Sequence, residues 1–325
     1  MTPIFRWGII GTGGIANSFA RDIAFADGHV VSAVGSRSLQ KAQEFAAQFQ
    51  CAALGSYEEL VRQEIDAVYV ATPHSMHAPN TILALEHGKP VLCEKPIAIN
   101  AHESAAMIAA AQQKNLLLVE ALWSRFLPHW KKIKELIDTG EFGDIILVSA
   151  DHGQSLPLPE YYRLHAPELA GGALLDLGIY PISFAYLALG KPREISARAE
   201  FTPTGVDSQT SIIFQYGSGA HANLTTTLLV KSPCTATIVG TKGSIFIDAD
   251  FHTPTSMRLK RASGEVIFYP NEYRGHGLRE QAVEFARLLY LGKKESNFMT
   301  LNDTQSIMET MDVIRKQVGL KYPLE

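Results

Sequence analysis

The stretch Phe5 to Ala16 reads FRWGIIGTGGIA: a short apolar run, a glycine-rich turn, then residues with helical spacing. Gly11-x-Gly13-x-x-Ala16 is a weak pattern in isolation. Between a strand and a helix it has the context its mechanism requires. Gly11 permits a tight turn, Gly13 lets backbone approach a pyrophosphate, and Ala16 allows the helix to pack closely on the strand. Thr12, Gly14 and Ile15 complete the turn, where the free N–H groups and dipole of a helix N-terminus favour an anion. An ordinary glycine-rich strand-to-helix turn is the alternative, and the neighbouring pattern bears on the choice.

Strands and helices alternate over the first 120 or so residues. Apolar strands are expected at Phe5 to Ile10, His29 to Val34, Ala67 to Thr72, Pro90 to Glu94 and Leu116 to Leu122. Helices are expected at Ile15 to Phe25, Leu39 to Phe49, Ala78 to His87 and up to Lys114, with Ser56/Glu59 and Asn100/Glu103 as caps. Strands apolar throughout and separated by helices signify a parallel sheet covered on both faces. After a helix near Trp130 to Thr139 the pattern changes to longer alternating strands. Asp207 to Tyr216 and Ala220 to Leu229 flank Gly217-Ser218-Gly219, and further hairpins are expected at Thr241-Lys242-Gly243 and Ser263-Gly264. One long helix, about Gly172 to Leu189, interrupts them, and two more close the chain near 278–290 and 301–317. The expected fold is α/β: a doubly wound parallel Rossmann sheet over 1–122, then an α+β domain over 123–325 with a large, mostly antiparallel open sheet. The helix 301–318 can pack back on the first domain.

Composition agrees with a folded chain and removes several partners. The 325 residues suffice for two domains, and 46% hydrophobic with 19% charged residues is globular. A net charge of −4 without a basic run gives no nucleic-acid footprint. No apolar run long enough to span a bilayer is evident, and no basic segment precedes an apolar leader. Cys51, Cys93 and Cys234 have neither disulfide nor zinc spacing, so a reduced cytoplasmic setting is expected.

The end of the second strand selects the cofactor. NAD enzymes usually carry Asp or Glu there to hold the ribose hydroxyls, and an Arg nearby accommodates a 2′-phosphate. This chain has Gly35-Ser36-Arg37-Ser38 and no carboxylate. Arg37 suits a 2′-phosphate bidentately, although Ser36, Arg37 and Ser38 also suit a simple helix cap. NADP(H) is the expected cofactor, with NAD(H) possible. The strand PVLCEKP (Pro90 to Pro96) stops on a charged pair and a proline. Ligands in open α/β sheets bind outside the carboxyl ends of the strands, so Lys95 is the leading catalytic candidate. A lysine beside a positive nicotinamide has its charged form disfavoured and can take a hydroxyl proton as a carbonyl forms. An ion pair with Glu94, or an electrostatic tether for the cofactor, is its plainer role.

Gly11-x-Gly13-x-x-Ala16, Ala71-Thr72-Pro73-His74 with His77, Glu94-Lys95-Pro96, and Gly171-Gly172 leading to Asp176 and Tyr180 together resemble the Gfo/Idh/MocA oxidoreductase family over essentially the whole chain. Glu120 to Phe126 (EALWSRF) and Leu175 to Pro181 (LDLGIYP) look most like its dimeric dihydrodiol dehydrogenase and NADP-dependent xylose dehydrogenase branch, and Arg37 agrees with that branch's cofactor. The resemblance implies hydride transfer between the nicotinamide and a secondary alcohol or carbonyl of a sugar, polyol or cyclic trans-diol. It implies Tyr180 as proton donor or relay, where the family often has histidine, and Asp176 as the carboxylate that orients a substrate hydroxyl or Lys95. The two share one face of a predicted helix. Thr72, Pro73, His74 and His77 follow a strand end, with His74 beside the nicotinamide half and His77 there or capping the next helix. No metal is implied. Trp123 and Arg125 follow the last parallel strand, where they serve cofactor or substrate, or interdomain packing. Arg163, in the 155–167 loop, binds substrate hydroxyls or lies on a plain surface loop. A homodimer through the outer face of the C-terminal sheet is expected. The rival readings are a cofactor-bound regulator or sensor on the same scaffold and an NAD-dependent glycosidase.

Overall fold

Apolar strands with no polar face can be stable only between two layers of helix, and the first sheet obeys this rule. The computed structural model describes residues 4–323 and 325. It divides into two compact units, 4–126 with 274–305, and 127–273 with 306–323 and 325. The first holds parallel strands β1 (Phe5–Ile10), β2 (His29–Gly35), β3 (Ala52–Leu54), β4 (Ala67–Val70), β5 (Val91–Glu94) and β6 (Leu118–Ala121) in the order β3-β2-β1-β4-β5-β6. Helices α1 (Gly14–Ile23), α2 (Leu39–Phe49), α3 (Tyr57–Val61), α4 (His77–Glu86) and α5 (Ala101–Lys114) connect them. The expected caps form: Ser56 accepts from Glu59 N at 3.1 Å and Asn100 from Glu103 N at 2.8 Å. Trp7, fully buried on β1, packs against Phe19 and against Phe285, which comes from the returning segment 274–305.

The second unit opens with α6 (Pro128–Asp138) and β7 (Ile145–Gly153), followed by α7 (Ile179–Leu189). The sheet continues through β8 (Glu194–Phe201), β9 (Asp207–Gln215), β10 (His221–Thr227), β11 (Ala236–Gly240), β12 (Gly243–Ile247), β13 (Met257–Arg261) and β14 (Val266–Tyr269). Its order is β14-β13-β12-β11-β7-β10-β9-β8, antiparallel except where β10 lies parallel to β7. Helix α8 (Arg279–Tyr290) belongs to the first unit, and α9 (Leu301–Val318) starts in the first and ends in the second. Inward residues such as Val148, Ala150, Ile212, Phe214, Ala222, Leu224 and Ile238 make the second core.

Two expectations change here. The helix expected from Gly172 begins with a π turn, Leu174–Gly178, before α7 takes over. In addition, Pro167–Leu189 is long and apolar enough to cross a membrane, a run that Glu168 and Asp176 obscure in the sequence, but most of it is buried inside this unit.

The Gly171-Gly172 pair packs closely against its own chain. Gly172 has φ +108°, and a Cβ there would stand 2.2 Å from Asp207 Oδ1; one on Gly171 would stand 2.5 Å from the Leu164 carbonyl oxygen. Asp207 is fully buried and accepts from Leu174 N at 2.8 Å and Thr210 Oγ1 at 2.7 Å. The glycines therefore let the chain close onto its own carboxylate and carbonyl before the π turn. Gly172→Ala is expected to cost about 2–4 kcal/mol through strain and displacement of Asp207, lowering the melting transition in calorimetry by several degrees. Gly217→Ala, where a Cβ meets nothing within 4 Å, should shift it by less than about 1 °C.

Candidate functional site

In the first unit the candidate residues collect along the carboxyl ends of the parallel strands. Strand order reverses at β1, which lies between β2 and β4, and the turn at that point is tightly defined. Gly11 N donates to Gly35 O at 3.0 Å, and a Cβ on Gly11, whose φ is +108°, would stand 2.6 Å from Ala71 O. Asn17 ties the turn from the helix side by donating to the carbonyls of Thr12 and Gly13. Gly13 and Gly14 are exposed, and a Cβ on either meets nothing within 4 Å. The first turn of α1 carries no acidic residue and no side-chain cap. Its N–H groups and dipole are thus available to a pyrophosphate, and the turn fits a dinucleotide.

At the end of β2, Ser36 Oγ accepts from Ser38 N and Ser38 Oγ from Lys41 N, so both serines serve the cap of α2. Arg37 stays exposed. Burial raises the Tyr57 phenol above its ordinary value, and the Arg37 guanidinium beside it opposes that shift. Tyr57 thus neighbours the arginine, a placement the sequence does not signal. After β4, the His77 ring is fully buried, with Nδ1 2.7 Å from Pro96 O and Nε2 2.9 Å from Thr72 O. His77 braces the two strand ends on either side of it; Asn80 adds a hydrogen bond to Thr72 Oγ1 at 3.1 Å. His74 is buried with its ring 5.7 Å from that of His77, and Pro73 precedes it at the start of this turn.

Lys95 stands just past β5, half-buried, and its peptide bond to Pro96 is cis. Glu94 is held from below: the Tyr69 hydroxyl donates to Oε1, and Lys95 N donates to Oε2 at 3.3 Å. Beyond β6, Trp123 is buried with its ring 5.1 Å from that of His276. Arg125 is buried too, 3.9 Å from Asp303, and burial lowers it to about 10.

The second unit groups another set. Asp176, in the π turn, accepts from Arg163 Nη2 at 3.2 Å. The loop carrying Arg163 is packed, because Leu156, Tyr161 and Leu164 join Ala173, Leu177 and Leu228 in one apolar cluster. Tyr180 is buried, with the rings of His152 and His252 at 5.1 and 4.9 Å. These two imidazoles lie 4.0 Å apart. His152 Nδ1 faces Leu177 O at 3.3 Å and Nε2 faces Gln154 Nε2 at 2.9 Å, so its partners assign Nδ1–H as donor and Nε2 as acceptor. The loop bearing His252 is fixed by Phe251 O, which accepts from Trp130 Nε1 at 3.0 Å and His129 Nε2 at 3.1 Å. Burial pushes His129 down to about 4, which keeps it neutral. Neither His152 nor His252 belongs to a motif that sequence reading can find. Among the described residues no three His, Cys, Asp or Glu side chains come together in a way that can hold a metal ion.

A strand-order reversal with a glycine turn, and beside it a sheet edge bearing lysine, define a dinucleotide-binding protein of the oxidoreductase type. Comparison narrows this class. The description "Oxidoreductase family, NAD-binding Rossmann fold" matches residues 5–121, and the GFO/IDH/MocA C-terminal domain matches residues 130–246. A trans-1,2-dihydrobenzene-1,2-diol dehydrogenase from Xenopus laevis is 37% identical, covering 98% of this chain and 99% of its own. A D-xylose 1-dehydrogenase (NADP(+)) from Hypocrea jecorina is 35% identical, covering 98% and 93%. The crystal structure of a 3-ketoreductase from Actinomadura kijaniata with NADP and TDP-benzene is similar at a TM-score of 0.85 and 25% identity, over 98% of each chain. The chain belongs to the Gfo/Idh/MocA oxidoreductase family.

Behind the lysine edge lies a buried carboxylate that the sequence does not announce. Glu120 on β6 accepts from Ile97 N at 3.0 Å and from Thr304 Oγ1 at 2.9 Å. Burial outweighs those bonds and the nearby Arg125 charge, raising Glu120 to about 7, with Glu94 adding repulsion. The raised value means that the folded chain holds a proton the unfolded chain releases near its ordinary value. The associated stability is complete below about pH 4.5 and is lost as pH rises to about 7. Glu120→Gln keeps the acceptor for Ile97 N and removes the titration. Between pH 5 and pH 8 the urea midpoint of this variant should fall less than that of the wild type.

Proposed function

We propose that the chain is an NADP-dependent dehydrogenase that moves hydride between the nicotinamide and a secondary alcohol or carbonyl of a sugar, polyol or cyclic trans-diol. The observation that carries this reading is Lys95 at the carboxyl end of β5, one strand removed from the β1–β4 point where the Gly11 turn opens. When bound, the nicotinamide supplies the hydride acceptor or donor. The residues Gly11 to Ala16 hold the pyrophosphate on backbone N–H groups. Arg37, without a carboxylate at the end of β2, takes the 2′-phosphate, in keeping with the NADP in the names of the xylose dehydrogenase and ketoreductase relatives. NAD(H) binds without that contact.

Lys95 takes the hydroxyl proton in oxidation and, protonated, polarises the carbonyl in reduction. Tyr180, in the second unit, is the proton donor or relay of this reading. Asp176, with Arg163 as its partner, orients a further hydroxyl. Thr72, Pro73 and His74 line the nicotinamide side, and Trp123 lines the substrate side. His77, Glu94 and Arg125 support these residues from within the first unit. The free thiols of Cys51, Cys93 and Cys234 suit a reduced cytoplasm.

The test is a panel of sugars, polyols and trans-diols with NADP and NAD, following reduced cofactor. Net NADPH formation supports a dehydrogenase; aglycone release without it supports a glycosidase, and cofactor binding without turnover a sensor. Lys95→Ala should lower kcat by about 10²–10⁴-fold with NADP affinity retained. Near-normal turnover would refute the role given to the lysine.

A homodimer through the outer face of the second sheet is part of the same reading. Cross-strand register aligns Ile213, Phe246 and Phe268 in one outward row with Asn223, Ser149, Thr237 and Arg258 between them. All three apolar residues are exposed. A face of this kind is a candidate for burial against a second copy. Light scattering at micromolar concentration should give twice the 35.6 kDa chain mass, and Phe246→Asp should shift the equilibrium towards the single chain.

A further inference from the structure

One side chain ties the segment 274–279 to the start of the first unit. Asp22, in the last turn of α1, is buried. Its carboxylate accepts from three backbone N–H groups: His276 at 2.8 Å, Gly277 at 3.0 Å and Arg279 at 2.9 Å. The Arg279 guanidinium stands 3.8 Å from the same carboxylate and lies over the Phe25 ring. Successive N–H groups turned onto one anion form a nest, and here the anion is supplied by the protein. Two left-handed residues make the nest possible: Gly275 has φ +98° and Gly277 has φ +113°. A Cβ on Gly275 would stand 2.5 Å from Asp22 Oδ1 and 2.7 Å from Arg279 Nη1.

The clamp fixes backbone on both sides of His276 and leaves the residue itself exposed. The His276 ring lies 5.1 Å from the buried Trp123 ring, tilted by 42°. Trp123 follows the carboxyl end of β6, on the edge that also carries Lys95 and the glycine turn.

We propose that Asp22 is a positioning residue, which holds the strap 274–279 so that His276 rests on Trp123 and presents its imidazole to a hydroxyl of the substrate. The assignment rests on the dehydrogenase reading above. Removing a contact made equally in the ground and transition states raises KM and leaves kcat unchanged. Asp22→Asn is expected to raise KM for the best sugar or diol about tenfold, with the NADP dissociation constant changed less than about twofold. His276→Ala should produce a similar loss. The double variant should lose little more than either single one, because both remove one contact. Gly275→Ala, which keeps Asp22 but forces the strap away from its carboxylate, should reproduce the KM effect if Asp22→Asn proves unstable.

An unchanged KM in a folded, active Asp22→Asn, or losses that multiply with those of His276→Ala, would overturn the assignment. Amide hydrogen exchange supplies a readout that needs no turnover. The amides of His276, Gly277 and Arg279 should be protected in the wild type and lose protection in Asp22→Asn; unprotected wild-type amides also overturn it. A wild-type protein with protected amides that oxidises nothing in the panel defeats the dehydrogenase reading instead, and the substrate role of His276 with it.

Discussion

The gap between the ends of β2 and β4 governs the first unit. At β1 the chain has a strand on each side, and it must leave the sheet through the space between the Gly35 and Ala71 carbonyls. A residue with a Cβ does not fit, and a residue with negative φ does not turn. Gly11 satisfies both conditions, so α1 begins immediately afterwards with its first amides uncovered. The same parallel register brings Thr72, Lys95 and Trp123 to the one edge, because each follows a neighbouring strand in the order β4, β5, β6. The site is a consequence of how the strands are ordered before it is a consequence of any one side chain.

Interior carboxylates organise the segments that regular structure does not. Asp207 receives Leu174 N ahead of α7, and Glu120 receives Ile97 N behind the Lys95 turn. Asp151 receives Cys234 N at 2.8 Å and Thr235 N at 3.0 Å. In each case a buried or, at Asp151, half-buried acid accepts backbone N–H groups that lie outside helix or sheet ladders. Charge-assisted bonds of this kind are stronger than neutral ones, and an orphaned buried N–H is costly. The cost of burying the acid appears in Asp207 and Glu120, which are raised to about 6 and about 7.

The division between what could and could not be read follows the range of the interactions. Short-range signals were legible: the all-apolar strands around Val68 and Leu92, the Asn100–Glu103 cap, the glycine turn and the charged stop at Glu94-Lys95-Pro96. Strand β7 escaped because Ser149, Asp151 and His152 break its apolar run, and its neighbour β10 lies far along the chain. Strand β8 has mostly exposed residues, among them Arg198 and Glu200, and carries little alternation. Asp176 and Tyr180 could be singled out only through their surrounding motif. Their neighbours Arg163, His152 and His252 converge on them through tertiary packing. The clamp at Asp22 is less visible still: an aspartate in a helix resembles any solvated charge until the strand-free segment that it binds is brought back from the far end of the chain.

That return has a bearing on how the protein is made. Phe285 packs against Trp7, and Leu118 N on β6 donates to Lys294 O. The first unit therefore lacks part of its own core and one sheet-edge bond until residues 274–305 exist. At ribosomal speeds of about 5–20 residues per second, the stretch 127–273 takes roughly 7–30 s to synthesise. Throughout that interval the nascent amino-terminal sheet must wait with its Trp7 face only partly covered, by Phe19 and not yet by Phe285, so this unit is completed only late in translation although its strands emerge first.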